Sequence, residues 1–356
     1  MVDFDHSILR CPNTSENLSL ISFEEIKHLV TTDTLPQVAS DKITTGFINV
    51  SKTFFYPVIQ NVILLLPLYA LSLTKEKTTN SEMHFDKERV FRHYSEIKYK
   101  EFENAKIYDG SDKWVDYRPV SIDYFKNSFR RAKKYLDGSG KYYLDIASGP
   151  IGFQEYLDLS EKFEIRICID IAFNPLVEAQ INMKEHKGIF ICGDITNIPL
   201  QNDVCDAVLS QHTLYHIPRK EQKTAVEEMY RVAKQGGTIG IVYNWFFYSL
   251  FTDVFLLPYQ IYRVARHYAG KVYVRLFNKV PRLYFYCHPH WWFNQFPFKD
   301  KIEIYCWRAA HKDFVDFYIH ENFGGKRLLN FLQKLEDKYP KTLGIIGDYP
   351  IIVIKK

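Results

Sequence analysis

Three apolar runs in the middle of the chain each close on small or acidic residues. Tyr142 to Ile146 leads into Ala147-Ser148-Gly149-Pro150-Ile151-Gly152, Ile165 to Ile169 ends in Asp170, and Gly188 to Cys192 ends in Gly193-Asp194. Runs that are apolar at nearly every position predict strands buried on both faces, as in a parallel sheet. A fourth run opens with Asp206 and passes through Ala207 to Ser210 into Gln211, His212 and His216. Val226, Met229, Tyr230 and Ala233 follow at helical spacing, with Gly236-Gly237 as the stop and Thr238 to Tyr243 as a fifth strand. Ile302 to Trp307, a helix through Leu328 to Lys338, and Pro350 to Ile354 supply two more strands, the last antiparallel. Small residues at a strand end let backbone approach a ligand closely, and an acid after the second strand suits a pair of ribose hydroxyls. The order therefore predicts a doubly wound, nucleoside-binding α/β sheet.

On these residues the chain resembles the class I S-adenosylmethionine-dependent methyltransferases. Their first motif is Asp-x-Gly-x-Gly-x-Gly; here it reads Asp145-Ile146-Ala147-Ser148-Gly149, with the last glycine displaced to Gly152. The resemblance covers residues 85–245 best, and its helix, Gly-Gly, strand pattern is similar to small-molecule methyltransferases of the quinone-biosynthesis type. It implies a Rossmann-like seven-stranded methyltransferase sheet and S-adenosylmethionine as cofactor. Asp145 would hold the turn, and Ala147, Ser148, Gly149 and Gly152 would pass under the amino acid part of the cofactor. Asp170, with Ile171 beside it, would take the ribose, and Asp194 and Ile195 the adenine. Gln211, His212 and His216 would line the crevice, the two histidines as candidate bases. A helix N-cap is the structural alternative for Asp194.

Ile8 to Pro67 adds a β-rich unit, expected at 1–73, that is similar to the small zinc-ribbon methyltransferase activator proteins. Their Cys-Pro-x-Cys knuckle is here Cys11-Pro12-Asn13-Thr14, with one cysteine where zinc needs up to four ligands, so no metal is expected. Residues 74–84 read as a linker, and 85–136 as a helical segment over the cofactor, with Tyr94 and Arg118 as candidates facing it. Residues 137–356 then form the catalytic domain. The six cysteines are scattered without a paired framework, and the start lacks a basic, apolar leader; a reducing, cytoplasmic compartment is expected.

An insertion at 245–298 follows the fifth strand. Between Asp253 and Asp300 it has no acid, while Arg263, Arg266, Lys271, Arg275, Lys279, Arg282 and Lys299 alternate with aromatic residues. A packing cap, a lid over the acceptor and a peripheral membrane contact all fit that pattern. A net charge of +4 is too small to imply nucleic acid, and none is expected as partner. His288-Pro289-His290 lacks a third metal ligand nearby. The leading expectation is methyl transfer to oxygen or nitrogen of a small acceptor, anionic or aromatic. The alternatives are a protein or RNA methyltransferase that docks through the N-terminal unit, and a silent cofactor-binding module.

Overall fold

The computed structural model describes residues 3–27, 43–73, 83–184, 186–277 and 283–356. Most of the linker expected at 74–84, the interior of the N-terminal unit at 28–42, and Lys279 and Arg282 lie outside the described residues. The chain opens with β1 (Leu18–Ser22), α1 (Phe23–Ile26), β2 (Thr45–Asn49), β3 (Phe54–Ile59), β4 (Val62–Leu64) and β5 (Leu71–Ser72). Next come α2 (Phe85–Glu96), the hairpin β6 (Tyr99–Phe102) and β7 (Ala105–Tyr108), and α3 (Ile122–Tyr135). The segment expected to be helical therefore contains a β-hairpin as well.

The central elements are β8 (Gly140–Ile146), α4 (Gln154–Leu157), β9 (Phe163–Asp170), α5 (Phe173–Met183), β10 (Gly188–Cys192), β11 (Cys205–Gln211), α6 (Gln222–Val232) and β12 (Ala233–Val242). Then follow α7 (Leu250–Phe255), α8 (Leu257–Phe277), β13 (Ile302–Arg308), α9 (Lys312–Tyr318), α10 (Gly325–Lys338), α11 (Pro340–Ile346) and β14 (Tyr349–Lys355). Among the described residues twelve of the strands make one sheet, in the order β1-β2-β3-β4-β10-β9-β8-β11-β12-β14-β13, with β5 on β3, while β6 and β7 pair only with each other.

From β10 to β12 every pairing is parallel, and β14 runs antiparallel between β12 and β13. This is the Rossmann-like sheet expected from the apolar runs. Side chains alternate through β8: Tyr142, Leu144 and Ile146 join one core and Tyr143 the other, so both faces are buried. One boundary differs from expectation. The helix α6 ends at Val232, and Ala233 already pairs with Cys205, so Gly236-Gly237 lie inside β12 rather than at a helix stop. Gly237 is small for another reason: a Cβ there would stand 2.9 Å from the Lys234 carbonyl.

The N-terminal strands continue this sheet. Parallel pairing of β4 with β10 sets Ile63 opposite Ile191. Where the resembling knuckle would hold metal, the Tyr56 hydroxyl donates to Asn13 Oδ1 at 2.6 Å and lies 3.3 Å from the Cys11 thiol. Both ends of the 245–298 insertion enter the core through Trp245, Phe293 and Phe296, whereas α8 leads outward.

Candidate functional site

Because β8, β9 and β10 are parallel, their last residues end along one edge, with Ile146 opposite Ile169 and Asp170 opposite Cys192. The turn after β8 is held by the neighbouring strand: the Ala147 and Ser148 N–H groups both donate to the Ile169 carbonyl, at 2.6 and 3.3 Å. Ala147 (φ +54°) and Gly149 (φ +58°) take left-handed conformations. At Ala147 this costs strain that a glycine would not carry. A Cβ at Gly149 would lie 3.0 Å from the Tyr108 hydroxyl, so both the conformation and the space there call for glycine. Gly152 serves packing instead, since a Cβ would meet Ile107 of the hairpin at 2.4 Å.

Asp170 closes β9. It accepts from the Gly149 N–H at 3.2 Å and the Ala172 N–H at 3.0 Å. Burial pushes its carboxyl up to about 6, against the pull of those two N–H groups. Asp145 is fully buried and held within the protein: Arg166 bonds it at 2.6 and 3.0 Å, and the Tyr156 hydroxyl donates at 2.5 Å. It braces the strand end.

Asp194 is engaged on both oxygens. Oδ1 accepts from Thr196 N and Oγ1, each at 2.8 Å, while Oδ2 takes Lys87 Nζ at 2.7 Å. It therefore holds the turn from Asp194 to Asn197, and no helix starts there for it to cap. Lys87 comes from α2 and also pairs with Glu221 at 2.5 Å, which ties the helix across the strand ends. Burial opposes the Lys87 charge, but Asp194 and Glu221 outweigh it and raise its pKa. No motif marked Lys87 in the sequence. Only its place in a helix over the crevice, near Tyr94, would have pointed to it. The Tyr94 ring lies 5.7 Å from Tyr108, and burial raises the pKa of both phenols.

One crevice thus gathers Ala147, Asp170, Ile171, Asp194, Ile195 and His216 of the expected site residues, together with Lys87 and Thr213. Ser148 is buried beneath the turn, and Gln211 ends β11 half-buried outside the crevice lining. Arg118 is elsewhere, bonded to Asp116 and to the carbonyls of Val315 and Ile319.

Beyond the crevice, the ends of β11, β13 and β14 meet in an aromatic cluster. The His212 ring (backbone φ +55°) stands edge-on to Trp307 at 4.8 Å and to Tyr349 at 5.3 Å. Burial first, and then the positive Arg308, lower its pKa to about 3. His216 Nδ1–H donates to the Tyr284 carbonyl at 2.8 Å, which leaves Nε2 as an acceptor; burial lowers this pKa to about 4. Both rings are neutral at pH 7. Arg308 is 4% exposed, with its guanidinium carbon 4.7 Å from the Tyr349 ring centre and 5.2 Å from that of Phe125. Among the described residues no carboxylate pairs with it, and Arg308 Nε, Trp307 Nε1 and His212 Nδ1 are buried without a hydrogen-bond partner.

Within the insertion, Arg263 is not solvated: it is 8% exposed and stacked 4.2 Å over Phe246. The end of the insertion reaches the site: Phe285 packs on Tyr215 and His216. His288 is stacked on Trp292 at 4.4 Å.

A family model described as a methyltransferase domain matches residues 144–241, from the middle of β8 nearly to the end of β12. No curated protein sequence matches the chain significantly. Among solved structures the chain is similar to a SAM-dependent methyltransferase from Archaeoglobus fulgidus, at 15% identity over 69% of this chain and 98% of that one, TM-score 0.42. It is also similar to a chain in the complex of the Haloferax volcanii Trm112 methyltransferase activator with a methyltransferase, at 19% identity over 35% and 54%, TM-score 0.31. An S-adenosylmethionine-dependent methyltransferase from Clostridium acetobutylicum matches at 19% identity over 41% and 58%, TM-score 0.32. The chain thus spans little more than half of the Haloferax and Clostridium chains. It carries a methyltransferase domain, and S-adenosylmethionine is the cofactor that this domain implies. The residues fit that group: a carboxylate at Asp170, the small Ala147 at the turn, and apolar walls at Ile171 and Ile195.

Proposed function

We propose that the chain methylates an oxygen or nitrogen of a small acceptor that carries an anionic group, seated at the ends of β11, β13 and β14. The observation that carries this reading is Arg308, a buried guanidinium among aromatic rings with no carboxylate partner among the described residues. A buried guanidinium without a carboxylate in direct contact is costly, and a ligand carboxylate or phosphate would complete it.

The bound cofactor would supply an electrophilic methyl on a sulfonium. The chain's residues have the tasks of alignment and water exclusion, which supply much of the acceleration in such displacements. Asp170 would accept from the ribose hydroxyls, and the turn at Ala147 to Gly149 would run beneath the amino acid part. His216, fixed by the Tyr284 carbonyl, would offer Nε2 to an acceptor O–H or N–H. Histidines with pKa values of about 3 and 4 are weak bases at pH 7. The nucleophile is therefore one that needs no strong base, such as a carboxylate oxygen or an unprotonated amine.

Calorimetry with S-adenosylmethionine, followed by radiolabelled methyl transfer to a panel of small carboxylates, phosphates and their neutral analogues, tests this. Cofactor binding with transfer confined to the anionic members is expected. Transfer to neutral analogues alone overturns the acceptor class, and binding without transfer to protein, RNA or any panel member leaves a silent module.

A further inference from the structure

The twenty-one residues of α8 make a helix about 30 Å long at 1.5 Å per residue. Only its first turns are anchored. Gln260 and Arg263 are buried against the body, and the His267 ring lies 5.2 Å from Phe247. Successive residues turn by about 100°, so these three residues mark one side of the helix. The opposite side carries Ile261, Tyr262, Tyr268, Val272 and Leu276, an apolar stripe in which Tyr268, Val272 and Leu276 follow at four-residue steps and Ile261 stands seven before Tyr268. All five are exposed, Ile261 at 62% and Leu276 at 72%.

A stripe of this kind on a monomer's surface marks an interaction site rather than ordinary scatter. The charges decide what covers it. Arg266, Lys271 and Arg275 flank the stripe, and the sequence holds no acid from 254 to 299. Cations at the borders of an apolar face, with tyrosines among the apolar residues, are what a helix lying in a lipid headgroup layer needs. No described helix is long and apolar enough to cross a membrane, so the contact is in-plane.

We propose that α8 docks the protein onto a membrane surface containing anionic lipid, with its apolar stripe in the headgroup and acyl boundary. The base of the helix stands beside the methyltransferase site, because Arg263 stacks on Phe246 and Phe246 packs on Phe285, which touches His216. Docking therefore holds that edge of the site close to the lipid.

Flotation of the full chain with phosphatidylcholine vesicles, with and without phosphatidylglycerol, tests the proposal. Binding to the anionic vesicles, weakened by added salt, is expected. The double variant Ile261→Glu, Val272→Glu should not float, while retaining wild-type affinity for S-adenosylmethionine, since neither side chain touches the crevice. Arg266→Gln, Lys271→Gln and Arg275→Gln together keep the stripe and should weaken anionic binding by roughly a hundredfold, at about fivefold per neutralised cation. Wild type that ignores anionic vesicles, or binds neutral ones equally well, overturns the proposal. So does light scattering that shows a dimer dissolved by the Glu double variant without any vesicle binding, because the stripe would then face a second copy. These outcomes are independent of whether the acceptor is anionic.

Discussion

At the ends of β8, β9 and β10 the polar side chains are paired inside the protein, whereas at the ends of β11, β13 and β14 several are not. Asp145, Asp170 and Asp194 each accept two or more hydrogen bonds from neighbours, most from backbone N–H groups or from Arg166 and Lys87. On the other side Arg308 Nε, Trp307 Nε1 and His212 Nδ1 are buried with no partner among the described residues. Buried polar groups are nearly always satisfied, so the second region is the one that a ligand would complete. A region assembled from backbone can bind one invariant ligand, and a region of unsatisfied side chains can select among variable ones.

The comparison breaks most sharply at Asp170. Asp170→Ala is expected to weaken S-adenosylmethionine binding by roughly a hundredfold, as charge-assisted bonds of ~1.5–3 kcal/mol are lost, and to lower the melting temperature, because the buried Gly149 and Ala172 N–H groups lose their acceptor. Calorimetry on the variant checks it; wild-type affinity would mean that the ribose lies elsewhere. On the unpaired side, Arg308→Met keeps the aliphatic stem among the rings and removes the charge. An anionic acceptor should then show a KM about tenfold higher with cofactor affinity unchanged. Equal losses for charged and neutral acceptors would make Arg308 a packing residue.

A smaller effect comes from the proton on Asp170. Its pKa is raised from 3.8 to about 6, so its protonated form is favoured in the folded free protein. That contribution to stability is full below pH 3.8 and is lost as the pH rises through about 6. Ribose hydroxyls favour the ionised form, so cofactor affinity should climb with pH, by up to tenfold per unit below about 6, and level off above. Calorimetry across that range reads it, and Asp170→Asn should flatten the profile. The smallest effect is at the turn. Ala147→Gly relieves a left-handed conformation costing ~1–2 kcal/mol and adds ~0.5–1 kcal/mol of chain entropy loss, for a net gain of about 0.5–1 kcal/mol. Denaturant unfolding measures it, and a loss of stability would show that the turn relaxes without strain.

The two regions also differ in how far the sequence reveals them. Each strand of the paired side is a contiguous apolar run that ends in its own site residue, so strand order, Asp170 and Asp194 can be read by eye. Parallel strands bring those ends together without further information. The cluster around Arg308 has no such signal. Its members come from Phe125, His212, Trp307 and Tyr349, and only the packing of α3 and the antiparallel insertion of β14 make them neighbours. Lys87 escaped notice for the same reason, since Asp194 lies far along the chain. Gly152 and Gly236-Gly237 show the converse. Glycines stood out in the sequence, but one accommodates a hairpin and the others lie within a strand. The charge of Arg263 is visible in the sequence, whereas the ring of Phe246 beneath it is not.

Pairing of β4 with β10 has a consequence for self-association. Without it, the parallel sheet would finish at β10 with an uncovered row of N–H and C=O groups flanked by apolar side chains, a template for any passing strand. The N-terminal strands take up that row, and among the described residues the sheet then ends at β1, five residues long and exposed at three of its five positions. A short, half-polar edge is a poor seed for intermolecular sheets. The residues before the methyltransferase domain thus cover the edge that β10 would otherwise leave open to another strand.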